Sequence, residues 1–94
     1  MRLASLAEAH PGAKVHGPAD LEISGLSHDS RVAGRGHLFA ALQGAKQDGL
    51  EFVKSAKRRG AVAVLSDRTP PLALPWIEAS DPRAALADLA AAFY

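Results

Sequence analysis

The stretch that most constrains this chain runs from Asp48 to Leu65. Asp48-Gly49 opens a helix over about Leu50 to Arg59, whose inner face is Phe52, Val53 and Ala56. Lys54, Lys57, Arg58 and Arg59 crowd its C-terminal half, where cations suit the helix dipole. Gly60 stands at the C-cap position. Ala61-Val62-Ala63-Val64-Leu65 follows as a central strand. A helix, a glycine and then a β-branched strand are half of a βαβ unit. The expected fold is therefore a single small α/β domain, a mixed β-sheet flanked by α-helices.

The remaining segments fit that frame. Leu3, Leu6 and Ala7 recur at helical spacing until Pro11-Gly12, which gives a short amphipathic helix over about Leu3 to Ala9. Lys14 to Gly17 reads as a brief extended piece ending in a turn. Leu21 to Leu26 alternates apolar and polar until Gly25, which is the pattern of a half-buried strand with a bulge at that glycine. Leu38 to Leu42 is a compact apolar run between glycines, as in a buried strand. Thr69-Pro70-Pro71 and Pro75 mark a surface loop, and Trp76 to Ala79 a last short strand. Asp81-Pro82 starts a helix with an acidic N-cap and proline at its first position. Leu86, Leu89, Ala90 and Phe93 stripe that helix, which still runs at Tyr94 without a stop signal. Such an ending is expected of a fragment cut at a helix that leads into another domain.

The bulk numbers exclude several classes. The chain has 94 residues, enough for one domain and not two. Eleven basic against ten acidic residues leave no case for nucleic acid. There is no cysteine, hence no disulfide and no thiolate metal site. The first ten residues do not read as a signal peptide, and no segment approaches the ~20 apolar residues of a membrane span.

Function must be sought in two polar stretches. Ser27-His28-Asp29-Ser30-Arg31 sits where one apolar segment ends, and Gly44-Ala45-Lys46-Gln47-Asp48-Gly49 leads into a helix N-terminus. Polar groups at strand ends beside glycine loops are how α/β domains build ligand pockets. His28-Asp29-Ser30 has the residue types of a hydrolase triad, but neighbours in an extended segment point to alternate faces and cannot relay among themselves. The plain reading is a turn in which Asp29 and Ser30 accept local backbone N–H bonds. The sharper one is anion or nucleotide binding, with Ser30 donating its hydroxyl and Arg31 pairing with a carboxylate, the ligand's or one in the neighbourhood of Asp29. Free backbone N–H groups in the glycine loop favour anions. Lys46 lies between the two glycines and not after the second, so this is no Walker loop. His10, His16, His28 and His37 lack ligand spacing and read as surface residues. Lys54, Lys57, Arg58 and Arg59 read as a solvated face, and Trp76 as a partly buried core residue.

Leu26 to Arg31, Gly36 to Gly44, Asp48-Gly49 with Phe52, and Gly60 to Val64 occur in the order and at the spacing of a known family. Over nearly its whole length the chain resembles the N-terminal domain of the Mur ligases, ATP-dependent amide ligases of peptidoglycan synthesis. The closing helix, Asp81 to Tyr94, is similar to the one entering the central domain in the MurE branch, which adds diaminopimelate or lysine to UDP-N-acetylmuramoyl-L-alanyl-D-glutamate. The resemblance implies residues 1–80 as a UDP-substrate-binding domain and 81–94 as a helix leading to a central ATPase domain. It implies uridine diphosphate contacts at His28, Ser30, Ala45, Lys46 and Gln47, with Asp29 and Arg31 supporting, and no catalytic residue in this chain. The implied partners are the UDP-N-acetylmuramoyl-dipeptide and the enzyme's central and C-terminal domains, with no nucleic acid and no membrane. ATP and Mg2+ belong to the full-length enzyme, this domain holds no cofactor, and the location implied is cytoplasmic. The chain departs from the family at Arg35-Gly36-His37, often Pro-Gly-Asp, and at Leu50, often His. The alternatives are the equivalent domain of the MurF branch, which adds D-alanyl-D-alanine, a stand-alone interaction module without a nucleotide, and last a small hydrolase.

Overall fold

A computed structural model describes residues 1–44 and 48–94. Five strands, β1 (Lys14–His16), β2 (Gly25–Ser27), β3 (His37–Ala40), β4 (Ala63–Ser66) and β5 (Trp76–Glu78), form one sheet in the order β1-β5-β4-β3-β2. β2 to β5 are mutually parallel, and β1 adds an antiparallel edge against β5. The mixed sheet expected from the sequence is therefore present, with the Ala-Val-Leu strand at its centre.

Alternation along the strands splits the core in two. Leu38, Ala40, Ala63, Leu65 and Ile77 face α1 (Leu3–Glu8) and α3 (Pro82–Phe93), where Leu3, Leu6, Ala85 and Leu89 meet them. Phe39, Val64 and Trp76 face α2 (Val53–Arg58), with Val53 and Ala56 against them. With both faces covered, β3 and β4 read in sequence as unbroken apolar runs. Phe93 and Leu86 are only partly buried on α3, whose inner line is Ala85 and Leu89. The Asp81 cap is as expected, its Oδ1 accepting the Ala84 N–H at 3.1 Å.

Two expectations need correction. Leu21 to Leu26 is not one strand, because the backbone of Leu21 and Ile23 bonds the chain start: Leu3 N–H to Leu21 C=O at 2.8 Å and Ile23 N–H to Met1 C=O at 2.8 Å. The sheet pairing begins only at Gly25, opposite His37. The helix after Asp48 starts as a 3₁₀ turn, Gly49–Phe52, and becomes α-helical at Val53. Gly60 closes that helix with φ +111°, and a Cβ there would lie 2.6 Å from Arg35 Cα, so both backbone and space require glycine.

The basic face of α2 is solvated as expected, whereas His10 and His37, expected at the surface, are half-buried. Lys54, Lys57, Arg58 and Arg59 are exposed. Trp76 is 8% exposed, with His16 from the edge strand stacked on it at 4.3 Å. His16 also meets Glu78 at 2.7 Å, and His10 meets Asp88 across α1 and α3 at 2.8 Å. Among the described residues no group of three His, Cys, Asp or Glu is placed to hold a metal, and no helix is long and apolar enough to cross a membrane.

Candidate functional site

The carboxyl ends of β2 and β3, adjacent parallel strands, open a cleft of about 500 Å³. In open α/β sheets ligands bind outside the carboxyl ends of the strands. One wall is His28, Asp29, Ser30 and Arg31, which follow β2; the other is Leu42, Gly44 and Gly49, which follow β3. Phe39 and Phe52 also line it.

The first wall is a turn built on Asp29. Its Oδ1 accepts the Arg31 backbone N–H at 2.9 Å, an Asx turn. The Arg31 guanidinium folds back on the same carboxylate, Nε to Oδ1 at 3.0 Å and Nη2 to Oδ2 at 2.7 Å. That pair and the backbone bond hold the Asp29 carboxyl below its ordinary 3.8, lowered to about 2. Arg31 therefore finds its carboxylate in Asp29, and both residues serve the turn. The hydrolase reading loses its orienter, since both Asp29 oxygens are taken by Arg31 and His28 is exposed.

Ser30 is 7% exposed yet lines the cleft, and among the described residues no hydrogen bond joins its side chain. The expectation that Ser30 accepts a local backbone N–H is thus not met within the described residues; only Asp29 does so. Ser27, the last residue of β2, pairs with Phe39, and among the described residues its buried Oγ has no partner.

The second wall is a loop pinched at its root. Gln43 and Asp48 pair as antiparallel neighbours, and the Gly49 N–H donates to Leu42 C=O at 2.9 Å. Asp48 Oδ1 accepts the Leu50 N–H at 3.1 Å and so caps the 3₁₀ turn. Ala45, Lys46 and Gln47, the expected contacts in this loop, lie outside the described residues. The structure thus brings His28 and Ser30 to one cleft and sets the flanks of that loop across from them.

Sequence reasoning missed Phe39 and Phe52 as cleft residues, taking them for core. The available signal was position: Phe39 is on the α2 side of a strand that ends in the glycine loop. Arg68 was missed too, and its partner Asp48 lies 20 positions away in sequence. Among the described residues nothing matches a nucleoside triphosphate with its metal. No Gly-Lys-Thr or Gly-Lys-Ser follows the loop, and no ligand cluster is found among the described residues.

A family model described as "Mur ligase family, catalytic domain" matches residues 22–94. The UDP-N-acetylmuramoyl-L-alanyl-D-glutamate–2,6-diaminopimelate ligase of Geobacter sulfurreducens is 46% identical over 96 residues, covering 100% of this chain and 19% of that protein. The protein of the same name from Brucella melitensis is 45% identical over 78 residues, 80% of this chain and 16% of the relative. The chain thus spans about a fifth or less of the curated relatives it matches. A crystal structure of MurF from Acinetobacter baumannii superposes with TM-score 0.83 at 27% identity, covering 96% of this chain and 20% of that one.

Proposed function

We infer, from the premise that this chain belongs to the Mur ligase family, that it is the substrate-binding N-terminal domain of a MurE-type ligase and that its cleft takes the uridine diphosphate end of the muramoyl peptide substrate. The observation that carries this reading is the cleft itself, lined by a buried Ser30 after β2 and by Gly44 and Gly49 after the adjacent strand β3. In it Ser30 offers a hydroxyl, His28 lines the cleft, and Ala45, Lys46 and Gln47 supply backbone amides that read a uracil edge, since amides provide both donor and acceptor. Phe39 and Phe52 supply apolar surface against the nucleoside. Asp29 and Arg31 hold the turn.

The domain's share of the reaction is binding and orientation. Holding the nucleotide end positions the reacting carboxylate elsewhere, and binding energy from a remote part of a substrate serves alignment at the reacting centre. The full enzyme would bind ATP and Mg2+ outside residues 1–94 and use them to activate that carboxylate; no step of that activation falls to residues of this chain. Residues 81–94 serve as the lead into the ATPase domain. The diamino-acid branch is preferred to the MurF branch because the sequence relatives near 45% identity carry the diaminopimelate ligase name, against 26–27% for the MurF structures.

Titration of the chain with UDP, followed by amide chemical shifts, tests the cleft. Shifts at Ser30 and at residues 45–47 are expected. Ser30→Ala should weaken binding by about 1 kcal/mol, the worth of one hydrogen bond. Unmoved resonances at millimolar ligand, with the fold intact, would reject the assignment.

A further inference from the structure

The loop that forms one wall of the cleft is held at its root by a side chain from a third strand end. Arg68 follows β4, with its backbone N–H on Ser66 Oγ at 3.1 Å. Its guanidinium spans two carboxylates, Nη2 donating to Asp48 Oδ2 and Nε to Asp67 Oδ1 at 3.1 Å. Asp48 is the residue where the loop's two ends meet: it pairs with Gln43, caps Leu50 through its other oxygen, and precedes Gly49, which lines the cleft. Arg68 is not among the residues that line the cleft.

We propose that Arg68 is a positioning residue for the cleft: through Asp48 it fixes the root of the loop carrying Gly44 and Gly49 relative to the wall of His28 to Arg31, and so raises affinity for the nucleoside part of the ligand without touching it. The proposal rests on the uridine diphosphate reading of this cleft. A lone exposed ion pair contributes little, but this one is a fork. Asp48 uses one oxygen for the cap and the other for Arg68, so the turn and the β4 exit share a single carboxylate. Without Arg68 the carboxylates of Asp48 and Asp67 face the same space uncompensated. A lysine keeps the charge but has one nitrogen where the guanidinium uses two.

The test uses the 94-residue chain, with UDP and uridine as separate probes. Arg68→Ala and Asp48→Asn are each expected to raise the Kd roughly three- to tenfold, as a smaller share of molecules holds the competent loop. The factor should be the same for uridine as for UDP, and Arg68→Lys should restore part of it. Without ligand, amide exchange at Gly49 and Leu50 should quicken in Arg68→Ala while Val64 and Leu65 stay protected. Ser30→Ala should weaken binding and leave that exchange alone.

Three results would overturn the proposal while leaving the nucleotide reading intact. One is an Arg68→Ala chain that binds uridine within about twofold of the wild type, less than the loss of a competent population requires. Another is unaltered exchange at Gly49. The third is a loss confined to UDP, which would place the guanidinium directly on the phosphates. A wild-type chain that responds to neither probe would overturn the nucleotide reading and this proposal together.

Discussion

Gly49→Ala is the substitution at which the geometry of the cleft and the stability of the fold meet. A Cβ at Gly49 would lie 2.5 Å from both the N and the O of Leu42 and 2.6 Å from the carbonyl carbon of Ala41. These are backbone atoms just past the end of β3, so no side chain can swing away. Relief requires the loop root to retreat by about half an ångström, the kind of backbone shift that overpacking costs at about 1–3 kcal/mol. The same retreat stretches the 2.9 Å bond from the Gly49 N–H to Leu42 C=O past useful length. A buried donor left without its acceptor costs a further ~1–3 kcal/mol. Alanine recovers about 0.4–1 kcal/mol by restricting the unfolded chain. The net is a loss of about 3 kcal/mol, or roughly 15 °C in Tm for a domain of this size. Gly12→Ala is the control: its φ of +87° strains alanine, but nothing lies within 4 Å of the added Cβ. It should cost only the ~1–2 kcal/mol of a left-handed residue. Urea unfolding of both variants at neutral pH decides the matter. If Gly49→Ala is no less stable than Gly12→Ala, the loop root is not packed against Leu42 and the argument fails.

Two further outcomes follow from the strand β2 exit. Asp29 titrates lower in the folded chain than its ordinary 3.8, at about 2, because Arg31 hydrogen-bonds the charged form. A depressed carboxyl adds stability that is present above about pH 3.8 and is lost as pH falls through about 2. Asp29→Asn should therefore be less stable than the wild type at pH 6, with the gap narrowing below about pH 3.8 as pH falls toward 2 in urea denaturation; a gap constant with pH would mean the charge is not its source. Ser27→Ala should be neutral or stabilising by up to about 1 kcal/mol, since it removes a buried hydroxyl that no described residue satisfies. A clear fall in Tm would show that the hydroxyl has a partner in the folded chain.

What was legible in the sequence was whatever a single segment decides. Asp81-Pro82 specifies a helix start by its own chemistry, and Gly60 a helix end. The apolar runs of β3 and β4 announced burial on both faces. Leu21 to Leu26 misled because its alternation serves two different partners. Its first half bonds Met1 and Leu3, and its end pairs with β3. Periodicity records that a residue is half-buried but not against what.

The site divides along the same line. Ser30 and the glycine loop stood out because polar residues and glycines at strand ends are unusual locally. Phe39 and Phe52 did not, because an aromatic side chain in an apolar run looks alike whether it fills the core or lines a cleft. The Arg68–Asp48 contact was illegible in principle: the residues are 20 apart, and each taken alone is a common surface charge. They meet because β3 and β4 are adjacent and parallel, so the segments leaving both strands emerge at the same edge. By the same rule the two walls of the cleft hang from β2 and β3, whose register sets Ser27 opposite Phe39. Strand pairing therefore fixes how far apart the walls start. What remains adjustable is the loop root, held by the Gly49–Leu42 bond on one side and by the Asp48–Arg68 pair on the other. A cleft framed by rigid strands and tuned at one root suits a domain whose proposed work is to hold one end of a substrate still.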